Sequence, residues 1–135
     1  MRILRNKITV IELRRPTHEN VNLQLQWLGS SLGLFGLRDK DRSCFRIFIE
    51  LLKATKRRIP MSSDQLAITL GLTRGTVVHH LNKLMQSGIV ISEGNRYILR
   101  VDNLENLVDE VERDMKRAFD NLRNVAKDID KQLRL

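Results

Sequence analysis

Cysteine is almost missing from this chain. The single thiol, Cys44, rules out an intramolecular disulfide and any cysteine-cluster metal site. It lies inside an apolar helical pattern, where it reads as a small core residue. Aromatic residues make up 4% of the sequence, so the core has to be built from leucine, isoleucine and valine. There is no run of 18 apolar residues and no charged-then-apolar leader, which sets the expectation of a soluble, cytoplasmic protein. The signatures of catalysis are missing as well: no Gly-rich phosphate loop, no His-Glu-x-x-His and no nucleophile elbow. The expectation is a protein that is not an enzyme and carries no cofactor.

Charge and helical pattern are what the chain does have. Its 135 residues, 41% of them apolar, suit one compact domain with an appended element. The formal net charge is +8, distributed unevenly. Residues 1–61 carry 13 Lys/Arg against 5 Asp/Glu, residues 62–100 carry 4 against 2, and residues 101–135 carry 7 against 9. A basic chain favours a polyanionic partner, and this bears on association, not on fold. A composition rich in lysine, arginine and isoleucine is also that of thermophilic prokaryotes, which is the alternative source of the same charge.

The stretch from Ser62 to Arg100 is the best defined. Ser62 can cap a helix, with Gln65 at capping-box spacing and Leu66, Ala67 and Leu70 on one face. Gly71 follows where a left-handed residue ends a helix. Thr73 can cap a second helix with Val77, Leu81 and Leu84 at i, i+4 and i+7, and Gly88 stops it. Ile89 to Ser92 and Arg96 to Leu99 flank Glu93-Gly94-Asn95 as a hairpin. Two helices around a glycine turn form a helix-turn-helix, and the hairpin after it would be a wing.

Over about forty residues, Leu66-Ala67, Gly71, Thr73, Val77, His80-Leu81, Leu84 and Gly88-Ile89-Val90 resemble the winged helix-turn-helix of the ArsR/MarR-type transcriptional regulators of prokaryotes, archaea included. The resemblance implies a mainly α fold with a small β-hairpin wing and a DNA-binding role. The cysteine pair of the metal-sensing ArsR branch is missing, and the short Ser92–Arg96 turn lacks the acidic-and-arginine pattern of a MarR wing.

Residues 73–86 are then the candidate reading helix. With Val77, Leu81 and Leu84 turned inward, Arg74, Gly75, Val78, His79 and Asn82 face outward. Arg74 could address guanine, Asn82 adenine and Val78 a thymine methyl, while Gly75 lets the backbone approach. Thr73 sits at the helix N-terminus, where phosphate is favoured, and Thr76 and Lys83 suit phosphate contacts. Arg96 and Arg100 are the wing's candidates for the backbone or minor groove. Each residue taken alone also reads as ordinary surface; the face as a set is the signal. His79 and His80 point about 100° apart on a helix and cannot chelate together, so no metal site is expected.

The flanks are less regular. Ile8 and Val10 on one face, with Thr9, Ile11 and Leu13 on the other, could form a strand over Lys7 to Leu13. Thr17 could cap a helix over 18–29 carrying Val21, Leu25 and Leu28. Leu32, Leu34, Phe35 and Leu37 are expected to pack on the C-terminal helix. Asp39 or Asp41 would start a helix bearing Cys44, Phe45, Phe48, Ile49, Leu51 and Leu52, closed by Lys56-Arg57-Arg58, and Ile59-Pro60-Met61 resembles the fold's short first strand. Beyond Arg100, Leu104, Val108, Val111, Met115, Ala118, Leu122, Val125 and Ile129 recur at spacings of 4, 3, 4, 3, 4, 3 and 4 without a glycine or proline. This is a coiled-coil-like a/d seam, read as a dimerisation helix, with its Asp and Glu as solvated flanks.

The expected organisation is residues 1–40 as an N-terminal strand/helix segment packing on the dimer region, 41–100 as the winged helix-turn-helix and 101–135 as the dimerisation helix. The expected function is a homodimeric, sequence-specific DNA-binding transcription regulator, a repressor. It would read a palindrome through helix 73–86 in the major groove, with the 92–96 wing on the flanking backbone or minor groove. A winged-helix protein-interaction module, a non-specific architectural DNA-binding protein and, more distantly, an RNA-binding protein remain open. No polar cluster names an effector.

Overall fold

The computed structural model describes residues 7–17, 20–35 and 42–135. The elements run α1 (Val21–Ser31), α2 (Ser43–Arg57), β1 (Met61–Ser62), α3 (Ser63–Leu70), α4 (Arg74–Gln86), β2 (Val90–Glu93), β3 (Arg96–Leu99) and α5 (Leu104–Leu133). The architecture is mainly helical, with a three-stranded antiparallel sheet in the order β1-β3-β2 and a long C-terminal helix.

The helix-turn-helix forms where its capping residues place it. Ser62 accepts from the Gln65 amide at 3.1 Å, and the Gln65 side chain accepts from the Ser62 amide at 2.9 Å, which closes the capping box at the start of α3. Gly71 ends α3 at φ +66°. Thr73 caps α4 by accepting from the Thr76 amide at 3.2 Å. After α4, Gly88 takes φ +78°, which only glycine adopts without strain, and the chain turns into the hairpin. The wing pairs Val90 with Leu99 through Glu93 with Arg96, so its loop is only Gly94-Asn95. The first strand is Met61–Ser62, slightly later than Ile59-Pro60-Met61, because its ladder to Tyr97 and Arg96 begins only after Pro60.

The core joins these pieces. Ile47, Phe48 and Leu51 of α2 lie against Leu66 of α3, Val77, Leu81 and Leu84 of α4, and Ile89, Val90 and Leu99 around the wing, all 4% exposed or less. Each such aliphatic side chain contributes about 1.5–3 kcal/mol by leaving water. Leu107 and Val111 of α5 belong to the same cluster, as do Leu32 and Leu34. Arg46 fastens α2 to the end of α3 by donating to the Leu70 carbonyl.

The N-terminal region departs from the expectation. Residues 7–17 form no strand: the segment's contacts are spaced out, with the Lys7 amide donating to the Gln86 carbonyl (2.9 Å), the Ile11 amide to that of Ser31 (2.7 Å), and Trp27 Nε1 to that of Leu13 (3.2 Å). An isolated extended segment tied at separated points has no ladder to complete. The first helix is capped by Asn20, whose side chain accepts from the Asn22 and Leu23 amides, and not by Thr17. It also runs through Gly29-Ser30-Ser31, because the Phe35 ring fills the space beside Gly29 where a Cβ would stand. Phe35 meets Phe45 and Phe48 of α2 edge-on, at 5.0 and 6.2 Å, so it packs on α2 rather than on the C-terminal helix. Helix α2 begins at Ser43 behind a left-handed Arg42; Asp39, Asp41, Leu37 and part of the expected 18–29 helix lie outside the described residues.

Candidate nucleic-acid interface

Helix α4 is fixed from one side and open on the other. Val77, Leu81 and Leu84 are at most 1% exposed and anchor it to α2 and α3. Arg74, Gly75, His79, Asn82 and Lys83 are exposed, as is Arg96 at the wing. The α4 groups lie on the solvent side of the helix, and no side chain fills the space beside Gly75. Arg74 Nε lies 3.6 Å from Asp64 Oδ1 of α3, both ends well exposed. Such a pair is worth about 0–1 kcal/mol, so Asp64 can orient the guanidinium without holding it back from another acceptor.

Two candidates sit differently from a free surface. Thr76 is half-buried, and its hydroxyl accepts from Thr73 Oγ1 at 2.9 Å, which draws both threonines into the helix cap. Val78 is half-buried and faces a groove shared with Ile91 and Tyr97 of the wing. Its apolar character therefore has a local reason besides a thymine methyl. His79 and His80 meet edge-on at 5.3 Å. Among the described residues no three His, Cys, Asp or Glu side chains gather as a metal site would require.

Arg100 is engaged elsewhere. Its Nη1 donates to Asp114 Oδ2 at 2.5 Å and its Nη2 to Asp114 Oδ1 at 3.2 Å, with Glu110 Oε2 2.9 Å away. Arg117 also donates to Asp114, and Arg113 Nη1 to Glu110 Oε1 at 2.6 Å. The bonds from Arg100 hold the Asp114 carboxyl below its ordinary range against the opposing effect of burial, and the same pairing raises the Arg100 guanidinium. Arg100 is thus not a wing residue reaching for nucleic acid; it ties β3 to α5. Asp114 and Glu110 are likewise not solvated flanks. The available signal was register: Asp114 stands seven residues after Leu107, on the edge of the apolar stripe, where a carboxylate needs a partner.

The seam of α5 divides in two. Leu104 packs against the core, Val111 is 6% exposed within it, and Leu107, which widens the stripe beside the a/d positions, is wholly buried. Val108 is 41% exposed and Met115 half-buried. Beyond Asp114 the stripe emerges: Ala118 is exposed, Leu122, Val125 and Ile129 are 64%, 57% and 48% exposed, and Phe119 and Leu133 flank them at 53% and 64%. Among the described residues, no helix is long and apolar enough to cross a membrane.

Residues 44–109 match the family model of the Crp-like helix-turn-helix domain. No curated protein and no solved structure matches the chain. The matched span begins in α2, includes both helices of the helix-turn-helix and the whole wing, and ends in the second turn of α5. Fold and match together support a DNA-binding transcription regulator of the winged helix-turn-helix type. The likeness to ArsR/MarR-type proteins holds at the level of that fold, since the matching family is the Crp-like one.

Proposed function

We propose that this chain is a homodimeric, sequence-specific transcription regulator that acts as a repressor by occupying a palindromic DNA site. The observation that carries the reading is the outer face of α4. A helix locked by Val77, Leu81 and Leu84 presents Arg74, Gly75, His79, Asn82 and Lys83 together, beside a short wing carrying Arg96. In this reading Arg74 and Asn82 address base edges from the major groove, with Val78 at the rim of the contact. Thr73, Thr76, Lys83 and Arg96 take the backbone, and Gly75 lets the helix approach closely.

The second half of α5 is the dimer contact. One helix carries one apolar stripe, and that stripe packs on its own core as far as Val111 and then continues uncovered through Ala118, Leu122, Val125 and Ile129. A second copy offers the same stripe in an isologous arrangement. Two chains joined this way would present two α4 helices to successive major grooves.

Titration of labelled duplex across a salt series tests the reading. Affinity should fall steeply with salt, and Arg74→Ala with His79→Ala should weaken binding without altering the fold. Binding untouched by that double change would move the interface off α4. A protein-interaction module is the second reading; it draws on Ile59 and Ile68, 53% and 84% exposed, which flank a hollow of about 320 Å³ between α2 and α3.

A further inference from the structure

We propose that the hollow between α2 and α3 docks an acidic segment of a second protein, one that presents an aliphatic or aromatic side chain beside a carboxylate. Apart from Leu135 at the end of the chain, Ile68 is the most exposed large apolar side chain among the described residues, at 84%, and Ile59 is 53% exposed. Isolated apolar groups on a surface are ordinary, but these two flank one hollow of about 320 Å³, which Ala54 and Met61 also line. That volume is at the lower limit of roughly 300 Å³ seen for small-molecule sites, and it suits an anchoring side chain better than a free ligand.

The polar groups of the hollow are donors. Arg57 is exposed, and Gln65 gives its carbonyl oxygen to the Ser62 amide, which leaves its amide N–H groups to offer. Beside the hollow, the end of α2 carries Lys53, Lys56, Arg57 and Arg58. Lys53 is 3.5 Å from Glu50, and Arg58 is 3.6 Å from Asp102. Among the described residues no carboxylate lines the hollow, and none pairs with Lys56 or Arg57. A carboxylate facing Arg57, set beside an apolar side chain in the hollow, satisfies both features at once. DNA does not, because phosphate would take the cations and leave the isoleucines in water. A second copy of this chain fits less well. Its uncovered segment 118–135 carries Arg123, Lys127, Lys131 and Arg134 against Asp120, Asp128 and Asp130, with no negative excess to meet the end of α2.

The sheet register separates the hollow from the face assigned to DNA. Ser62 lies opposite Arg96, next to the wing loop, and Met61 lies opposite Tyr97. The chain therefore reaches Ile59 by moving away from that loop. A protein held in the hollow leaves α4 open, so the chain can hold both partners together. The docking rests on the protein-interaction reading of the hollow and does not require α4 to bind DNA.

The test is selection of random linear peptides on the immobilised full chain, after depletion on Ile68→Asp. Enriched peptides are expected to combine carboxylates with an aliphatic or aromatic residue. A synthetic copy of the leading peptide, titrated into the free chain, should shift the amides of Ala54, Met61, Gln65 and Thr69 in heteronuclear NMR. Ile68→Ser and Arg57→Glu should each weaken it roughly tenfold, in chains whose spectra show them folded. A peptide with its carboxylates replaced by amides should lose a similar factor. A mixed-sequence duplex should bind the peptide-loaded chain as it binds the free one. No peptide enriched beyond the depletion, or binding indifferent to Ile68→Ser, would overturn docking at the hollow and the protein-interaction reading with it. Neutral or basic peptides that need Ile68 and ignore Arg57→Glu would leave that reading standing and overturn the acidic partner. Displacement of the peptide by duplex would overturn the separation of the two faces.

Discussion

The two halves of α5 carry one pattern in different surroundings. In the first half Leu104, Leu107 and Val111 lie against the winged-helix core, and the Arg100–Asp114 pair clamps the helix to β3. From Ala118 to Leu133 the same periodicity continues, and every residue is exposed. Heptad spacing therefore states that a face will be covered and leaves open what covers it. For the first half it is the chain's own core; for the second half we assign a second copy.

Leu107→Ala should have the largest effect on stability. A wholly buried leucine truncated in a close-packed core costs about 2–5 kcal/mol, read by denaturant unfolding at fixed protein concentration. Leu122→Asp together with Val125→Asp should do the opposite: helical content and the winged-helix fold persist, while light scattering shows the mass falling to that of one chain. If instead the double substitution unfolds the protein and leaves its mass unchanged, the two halves do not differ as described.

Asp114→Asn should cost about 2 kcal/mol at neutral pH, the scale of losing hydrogen bonds between charged partners. The sign of its pH dependence follows from a folded-state carboxyl held below its ordinary range. That stabilisation is complete above the unfolded carboxylate value of about 4 and is lost as pH falls through the lower folded value. Unfolding curves of wild type and Asp114→Asn should therefore be well separated at pH 7 and converge in strong acid. A separation that widened on acidification would show that the carboxyl is not stabilised by Arg100. Asn103→Ala, removing the side chain that accepts from the Asn106 amide at 2.8 Å, should cost only about 1 kcal/mol. It should be felt in the anchored half of α5 and leave the mass of the assembly unchanged.

The helix-turn-helix was legible because its signals are local. Ser62 with Gln65, Gly71, Thr73 and Gly88 act on their own neighbours within a few residues, and the structure forms its helices and turns at those positions. The 30-residue α5 was legible from its unbroken pattern. What escaped depends on partners distant in sequence. Asp114 looked like one more solvated acid until Arg100, fourteen residues earlier, was brought against it. The first helix was expected to end at Gly29, and it runs on to Ser31 with the Phe35 ring in the place of the missing Gly29 side chain. The alternation of Lys7 to Leu13 suggested a strand, but a strand needs a ladder, and its neighbours offer only isolated carbonyls. At the candidate interface, the buried stripe Val77, Leu81 and Leu84 could be read from spacing alone, and with it the outward face. The groove beside Val78 could not, since it exists only once the wing and α5 are folded against α4.

Selection from random double-stranded DNA, with the mass of the bound complex measured by light scattering, tests the central claim most directly. The account predicts enrichment of a palindrome with half-sites about one helical turn apart, bound by two chains. Salt-sensitive binding with no enriched sequence, or an enriched site bound by a single chain, would contradict it.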